Sequence, residues 1–359
     1  MLTTNQSDSS RERFFSALEK EIRHARDRYG KLRFDTLYFG GGTPSTLSPP
    51  EMTRIVEWLR DAFEFPFRYE FTCETNPEDV QEEKFRAYRD LGMNRISLGA
   101  QSFNDSLLKS MGRNHDAQQI EKSLFDLRRA GFENVSLDLI IKLPGQTIQD
   151  VEHSLERAIA FKVYQVSVYD LDLHDNTVFG SRAKKGELIL PAEDEHAQMS
   201  ELVESRLTAS KYVQYELTNF AKPGFESQHN LIYWYNQEYL GLGPGAFSYL
   251  NGVRYQFALN VDRYFQKCNE GDWSCDVEDK ISDKKKEVET LITGLRLREG
   301  VDLDQFKLIR DCVESKIQDL DGLLEKRGSR LILTPRGQRM PESVFVELMD
   351  DECDLKANA

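Results

Sequence analysis

The stretch Phe34-Asp35-Thr36-Leu37-Tyr38-Phe39-Gly40-Gly41-Gly42-Thr43-Pro44 carries the chain from a β-rich run straight into three consecutive glycines. Glycines let backbone amides approach a ligand closely, and Thr43 adds a hydroxyl. The same triplet is equally consistent with a plain tight turn, so its surroundings decide. Outward from it, short β-rich runs recur at 69–73, 95–98, 135–141 and 164–169. Between them lie segments of helical period. In 51–59, Met52, Ile55, Val56 and Leu59 share one face, and 82–91, 117–130 and 148–161 read likewise. Ser48-Pro49-Pro50-Glu51 supplies a cap, an early proline and an acidic first turn, while Gly92 and Gly131 each follow a helix. Repeated strand and helix with apolar strands predicts an α/β fold, a parallel sheet covered by helices that curls toward a barrel.

After residue 170 the texture changes. Residues 173–186 read as loop and 192–210 as helix, and 212–255 form an aromatic segment punctuated by Gly241, Gly243 and Gly245. From Lys284 the chain turns helical again, and Arg330-Leu331-Ile332-Leu333-Thr334 before Arg336-Gly337 predicts a strand and turn. The expected division is 1–172, 173–283 and 284–359, the last a small helical domain with a hairpin wing.

The chain has 359 residues, 39% hydrophobic and 30% charged, enough for more than one domain at roughly 100–200 residues each. Its net charge of -14 disfavours nucleic acid and anionic lipid as partners. The run Lys284-Lys285-Lys286 reads as a solvated helix face. No apolar run approaches the ~20 residues that cross a bilayer, and residues 1–13 lack a signal-peptide core, which points to the cytoplasm. Five cysteines, Cys73, Cys268, Cys275, Cys312 and Cys353, are odd in number and widely spaced, so no disulfide framework is expected.

Parallel α/β folds place ligands at the C-terminal ends of strands. The residues there form one polar rim: Gly40 to Pro44, then Glu74-Thr75-Asn76-Pro77, Gly99-Ala100-Gln101-Ser102 with Gly112-Arg113, and Leu143-Pro144-Gly145-Gln146. Asp138 lies inside its strand, where a buried carboxylate needs a partner. Singly each has a bland reading, as turn, loop or surface charge. Together they define a small-molecule site.

These phrases resemble the radical S-adenosylmethionine family, in the branch of oxygen-independent coproporphyrinogen III oxidases and HemW haem chaperones. The resemblance runs through Tyr-Phe-Gly-Gly-Gly-Thr-Pro-Ser (38–45), Glu-Thr-Asn-Pro (74–77), Ser-Leu-Gly-Ala-Gln-Ser-Phe (97–103) and Met-Gly-Arg-Asn-His (111–115). It continues with Ser-Leu-Asp-Leu-Ile (136–140), Leu-Pro-Gly-Gln-Thr (143–147), His-Asn-Leu-Ile-Tyr-Trp (229–234), Gly-Leu-Gly-Pro-Gly-Ala-Phe-Ser (241–248) and Leu-Thr-Pro-Arg-Gly (333–337). Segments 97–103 and 229–234 favour the chaperone over the oxidase. The resemblance implies that Gly41, Gly42 and Thr43 contact S-adenosylmethionine, that Glu74, Gln101, Arg113 and Asp138 hold its ribose and methionine parts, and that Asp172 adds a rim contact. It implies haem as a second ligand, with His229 or His115 as contacts, and a protein that accepts the haem. For both histidines a structural, hydrogen-bonded role is the alternative, and for Tyr233, Trp234 and Tyr235 it is aromatic packing.

The chain departs from that pattern in two places. The family's [4Fe-4S] cluster sits on a Cys-x3-Cys-x2-Cys loop after the first barrel strand, and no such loop occurs here. The expectation is a partial six-stranded barrel without its first strand, an N-terminally truncated chaperone that is not catalytic as it stands. The alternatives are a porphyrin oxidoreductase and a cluster-less binding protein. The second departure is Ile141-Lys142 before Leu143-Pro144, where the family has Tyr-Gly or similar; the lysine either crowds the site or points to solvent.

Overall fold

A computed structural model describes residues 8–173, 178–186 and 188–349. They form two compact units. One comprises residues up to 15, 22–214 and 218–226; the other comprises 16–21, 215–217 and the chain from 227.

The chain runs through α1 (Asp8–Tyr29), β1 (Thr36–Phe39), α2 (Pro49–Ala62), β2 (Glu70–Thr75), α3 (Glu82–Asp90) and β3 (Arg95–Gln101). It continues through α4 (Asp105–Ser110), α5 (Ala117–Arg129), β4 (Val135–Ile141), α6 (Ile148–Ala160), β5 (Gln165–Asp170), α7 (Val178–Lys184), α8 (Glu193–Ala209), β6 (Val213–Gln214) and β7 (Asn219–Ala221). The five strands read from the sequence are all present, in order β1-β2-β3-β4-β5 and parallel. Two strands the sequence did not suggest, β7 and β6, extend the same sheet antiparallel beside β5. Segment 173–186, expected to be loop, holds α7.

The helices bury the faces their period marks. Met52, Ile55, Val56 and Leu59 of α2 are all buried, as are Ile120, Leu124 and Leu127 of α5 and Val151 and Leu155 of α6. Each such side chain contributes about 1.5–3 kcal/mol. Ser48 and Glu51 close the α2 capping box, and Gly92 and Gly131 take φ of +96° and +93° where α3 and α5 end. In β2 to β5 alternate residues split sharply. Phe71, Cys73, Ile96, Leu98, Leu137, Leu139, Val166 and Val168 form one buried apolar set. The other set is polar: Thr72 and Glu74, Arg95 and Ser97, Ser136 and Asp138, Gln165 and Ser167. Arg95, only 2% exposed, donates through Nη2 to Gln165 Oε1 at 2.8 Å, and Gln165 Nε2 donates to Asn219 Oδ1 at 2.6 Å. The strands are therefore not apolar on both faces, and the sheet offers one polar face to a ligand.

In the second unit, α9 (Gln228–Trp234), β8 (Phe247–Leu250), β9 (Val253–Gln256), α10 (Val261–Glu270) and β10 (Val277–Lys280) precede α11 (Asp283–Gly294). Then come β11 (Val301–Asp302), α12 (Arg310–Lys316), β12 (Leu324–Arg327), β13 (Arg330–Leu333), α13 (Pro335–Arg339) and α14 (Pro341–Leu348). Strands β12 and β13 form the expected hairpin, with β11 on its other side. Leu291, Leu303, Val313, Leu331, Val344 and Leu348 build the core beneath it. Cys312 is disulfide-bonded, and Cys73 and Cys268 are free thiols. No described helix is long and apolar enough to cross a membrane.

Within this unit the Glu21 carboxylate accepts the Gly243 N–H and the Tyr264 hydroxyl, each at 2.8 Å. Burial pushes its pKa from an ordinary 4.5 to about 7, and the two hydrogen bonds only partly oppose that rise. Because the folded value lies above the unfolded one, Glu21's contribution is complete below the ordinary value and is lost as pH rises through 7. Thermal unfolding is expected to show Tm falling across this window, with a shallower fall in Glu21→Gln. An unchanged slope contradicts this assignment.

Candidate functional site

The C-terminal ends of β1 to β4 enclose a cavity of about 260 Å³ lined by Gly42, Thr43, Glu74, Thr75, Asn76, Ser97, Gly99, Gln101, Arg113 and Asp138. Glu74, Gln101, Arg113 and Asp138, singled out from the sequence, thus meet in one place with Gly42 and Thr43. Gly41 stands one residue back and donates its N–H to Glu74 Oε2 at 3.1 Å. Asp172 is exposed beyond β5 and does not line the cavity. Lys142, with φ of +62°, points to Glu193 at 3.4 Å and does not crowd the cavity.

Glu74 is fixed from two sides. Its Oε1 accepts the Tyr38 hydroxyl at 2.7 Å, and its Oε2 takes Gly41. A Cβ on Gly40 would lie 2.5 Å from the Tyr38 ring and 2.8 Å from Glu74 Oε1, so the first glycine makes room for that pair. Ser45, buried next to the turn, donates to Asp79 Oδ2 at 2.8 Å, and Lys84 Nζ donates to the Ser45 carbonyl. The glycine turn is therefore tied to the segment after β2 at both ends.

Gln101 is the strained residue of the site. The register between β3 and β4 shifts between Leu98 and Gln101, and Gln101 takes φ of +68°. Left-handed backbone at a non-glycine residue is costly and clusters where function demands it. Its side chain folds back over Gly99, where a Cβ would sit 2.9 Å from Gln101 Nε2. Gln101 Oε1 is buried with no hydrogen-bond partner. Such an acceptor costs about 1–3 kcal/mol until a donor arrives.

Asp138 accepts Ser97 Oγ at 3.1 and 3.2 Å on its two oxygens. Burial pushes its pKa from 3.8 to about 6, while Tyr169 and Ser97 hold it down. Arg113 reaches the cavity from the loop before α5, and His115 anchors that loop. His115 is fully buried; Nδ1 meets Glu78 Oε2 at 3.0 Å and Nε2 meets the Ala100 carbonyl at 3.3 Å. Both nitrogens are engaged, leaving neither for iron. His229, in the second unit, shares a 3.0 Å hydrogen bond between Nε2 and the Tyr233 hydroxyl. Tyr233 packs edge-on against Tyr239, Arg296 lies 4.6 Å over Trp234, and Tyr235 is exposed with its hydroxyl on Glu299. A wider cleft of about 790 Å³ in the second unit includes Glu287, but that carboxylate already serves the Lys307, Leu308 and Ile309 amides. The strand-end cavity is the chemically furnished one.

The sequence reading missed Tyr38, Ser97, Asp79 and Tyr169. Their signal was the strand period itself, which sets Tyr38, Ser97 and Tyr169 on the polar face.

A mainly parallel sheet with a polar cavity at its strand ends defines the class as an α/β protein with a candidate ligand site where such folds carry one. Residues 5–158 match the family model described as Radical SAM superfamily, and 281–340 match the HemN C-terminal domain. Heme chaperone HemW of Lactococcus lactis is 37% identical over 333 residues, spanning 90% of this chain and 86% of its own. HemW of Bacillus subtilis is 34% identical over 340 residues, spanning 92% and 90%. The solved coproporphyrinogen III oxidase (HemN) of Escherichia coli superposes with a TM-score of 0.82 at 22% identity, covering 95% of this chain and 84% of that one, and shares the fold. The chain belongs to the radical SAM superfamily, in its HemW and HemN-like branch.

That family implies S-adenosylmethionine and a [4Fe-4S] cluster. The cavity fits the first: it presents two carboxylates, an orphaned amide oxygen and a guanidinium. The described cysteines do not fit the second. Cys73 is buried in β2 with its thiol on the Glu74 carbonyl and its pKa raised by burial, Cys268 is pushed up to about 12, and Cys312 is in a disulfide. Among the described residues no group of three or more His, Cys, Asp or Glu is placed to hold a metal.

His115→Ala is expected to lower stability by about 2–4 kcal/mol in urea unfolding, through a buried void and a stranded Glu78. A loss below about 0.5 kcal/mol, the scale of an ordinary surface change, contradicts its anchoring role.

Proposed function

We propose that this chain is a HemW-like haem chaperone of the cytoplasm that binds S-adenosylmethionine in the strand-end cavity and passes haem to a protein acceptor. The observation that carries the first part is the donor and acceptor balance of the cavity. Glu74, Asp138 and Gln101 Oε1 accept; Arg113 is the cation. S-adenosylmethionine matches that set, since its amine and ribose hydroxyls donate and its carboxylate suits a guanidinium. Gly41 and Gly42 offer backbone and Thr43 a hydroxyl to the same ligand. In this reading the described residues bind and orient the ligand, and no redox step is assigned to them.

The haem part rests on the chaperone relatives and on His229, with its Nε2 held by Tyr233. Burial pushes the Tyr233 hydroxyl up to about 12, so it stays protonated across the physiological range.

Calorimetry with S-adenosylmethionine is expected to give binding that weakens at least about tenfold, roughly 1.4 kcal/mol, in Glu74→Ala. Undiminished affinity in that variant argues against the cavity. Haem added to the purified chain is expected to shift its Soret band, with the shift weakened in His229→Ala. A spectrum identical to free haem removes the chaperone reading.

A further inference from the structure

Each carboxylate of the cavity is held by a half-buried tyrosine on the adjacent strand. On β1, Tyr38 donates to Glu74 Oε1 at 2.7 Å. On β5, Tyr169 hydrogen-bonds Asp138, and Ser97 on β3 donates to the same carboxylate from the other side. Register sets these residues on one face across five strands: Tyr38 pairs with Thr72, Glu74 with Ser97, Ser97 with Ser136, Asp138 with Ser167 and Ile140 with Tyr169. Tyr38 and Tyr169 are not cavity-lining residues themselves.

We infer that Tyr38 and Tyr169 are paired positioning residues for ligand binding, each fixing one cavity carboxylate through its phenol. The inference rests on the reading of the cavity as the S-adenosylmethionine site. Phenylalanine would fill the same volume without burying a hydroxyl, so packing alone does not call for these phenols. A carboxylate oxygen has two lone-pair directions. When a phenol takes one, the side chain is locked and the other stays available to a ligand N–H or O–H.

The groups facing Asp138 from the neighbouring strands are Tyr38 of β1, Glu74 of β2, Arg95 and Ser97 of β3, and Tyr169 and Ser167 of β5. Glu74 raises the Asp138 pKa and Arg95 lowers it, while the Tyr169 and Ser97 hydrogen bonds lower it toward the value of about 6. Losing the Tyr169 hydroxyl therefore moves Asp138 ionisation to higher pH. As pH falls, ligand binding that needs the carboxylate is then lost at a higher pH than in the parent chain.

The test is calorimetric titration of S-adenosylmethionine into the full chain and into Tyr38→Phe and Tyr169→Phe, from about pH 5 to 8. Each variant is expected to bind about tenfold more weakly at pH 7, the scale of one charge-assisted hydrogen bond. Tyr169→Phe is also expected to move the pH midpoint of binding upward. Ser97→Ala, which removes the second donor to Asp138, must move it the same way and serves if Tyr169→Phe does not fold. Variants with a lowered Tm but parental affinity and midpoint show that the phenols serve folding alone and overturn the inference. No binding by the parent chain overturns the cavity reading and the inference with it. Parental binding lost in Glu74→Ala but unchanged in both phenylalanine variants overturns the inference only.

Discussion

The segment Glu74 to Asp79 is the constraint on which the site depends. Three of its six residues are acidic, and each carboxylate fastens a different piece of chain. Glu74 takes Tyr38 and Gly41, Asp79 takes Ser45, and Glu78 takes His115. The Pro77 carbonyl adds Ser123 and Gln119 of α5. Segments about forty residues away on either side are thereby fixed to one strand end. Like charges so close would repel, and the repulsion is offset because every carboxylate has its own donors. The His115 contact holds the Glu78 carboxyl below its ordinary range.

A second constraint is the polar face of the sheet. Burying Arg95, and half-burying Glu74, Asp138 and two tyrosines, is unfavourable unless nearly all their polar atoms are paired. The network from Arg95 through Gln165 to Asn219 does that for the lower row. The exceptions are informative. Gln101 Oε1 remains unpaired at a residue that is also left-handed, and both features lie at the cavity. Arg95 Nε and Thr72 Oγ1, on register partners of the same face, also make no hydrogen bond, although Arg95 Nε lies 3.9 Å from Glu70 Oε2.

Much of this was legible in the residues alone. Helical period identified the buried faces of α2, α5 and α6, and the glycine turn with the rim residues Glu74, Gln101, Arg113 and Asp138 identified the cavity. Three things were not legible. Tyr38 and Tyr169 sit in β-rich runs, where an aromatic residue reads as packing, and only pairing in register reveals that they hold carboxylates. Strands β6 and β7 are two and three residues long, too short for any period to register. Helix α7 lies in a segment with few apolar residues at helical spacing, and its Phe179 packs with Leu107 and Leu143, contacts that local sequence does not encode. Lys142 was open between crowding the site and facing away, and a single ion pair with Glu193 decided it.

One strand-end segment assembles a polar cavity in which Gln101 Oε1 alone of the named acceptors has no hydrogen-bond partner, and the proposed ligand for it is zwitterionic and hydroxyl-bearing. The most direct measurement is a crystal structure of the chain grown with S-adenosylmethionine. The account predicts ligand density against Gln101, Glu74, Asp138 and Arg113, with Gln101 Oε1 accepting a ligand hydrogen. Density elsewhere, or a cavity holding solvent alone at saturating ligand, would contradict it.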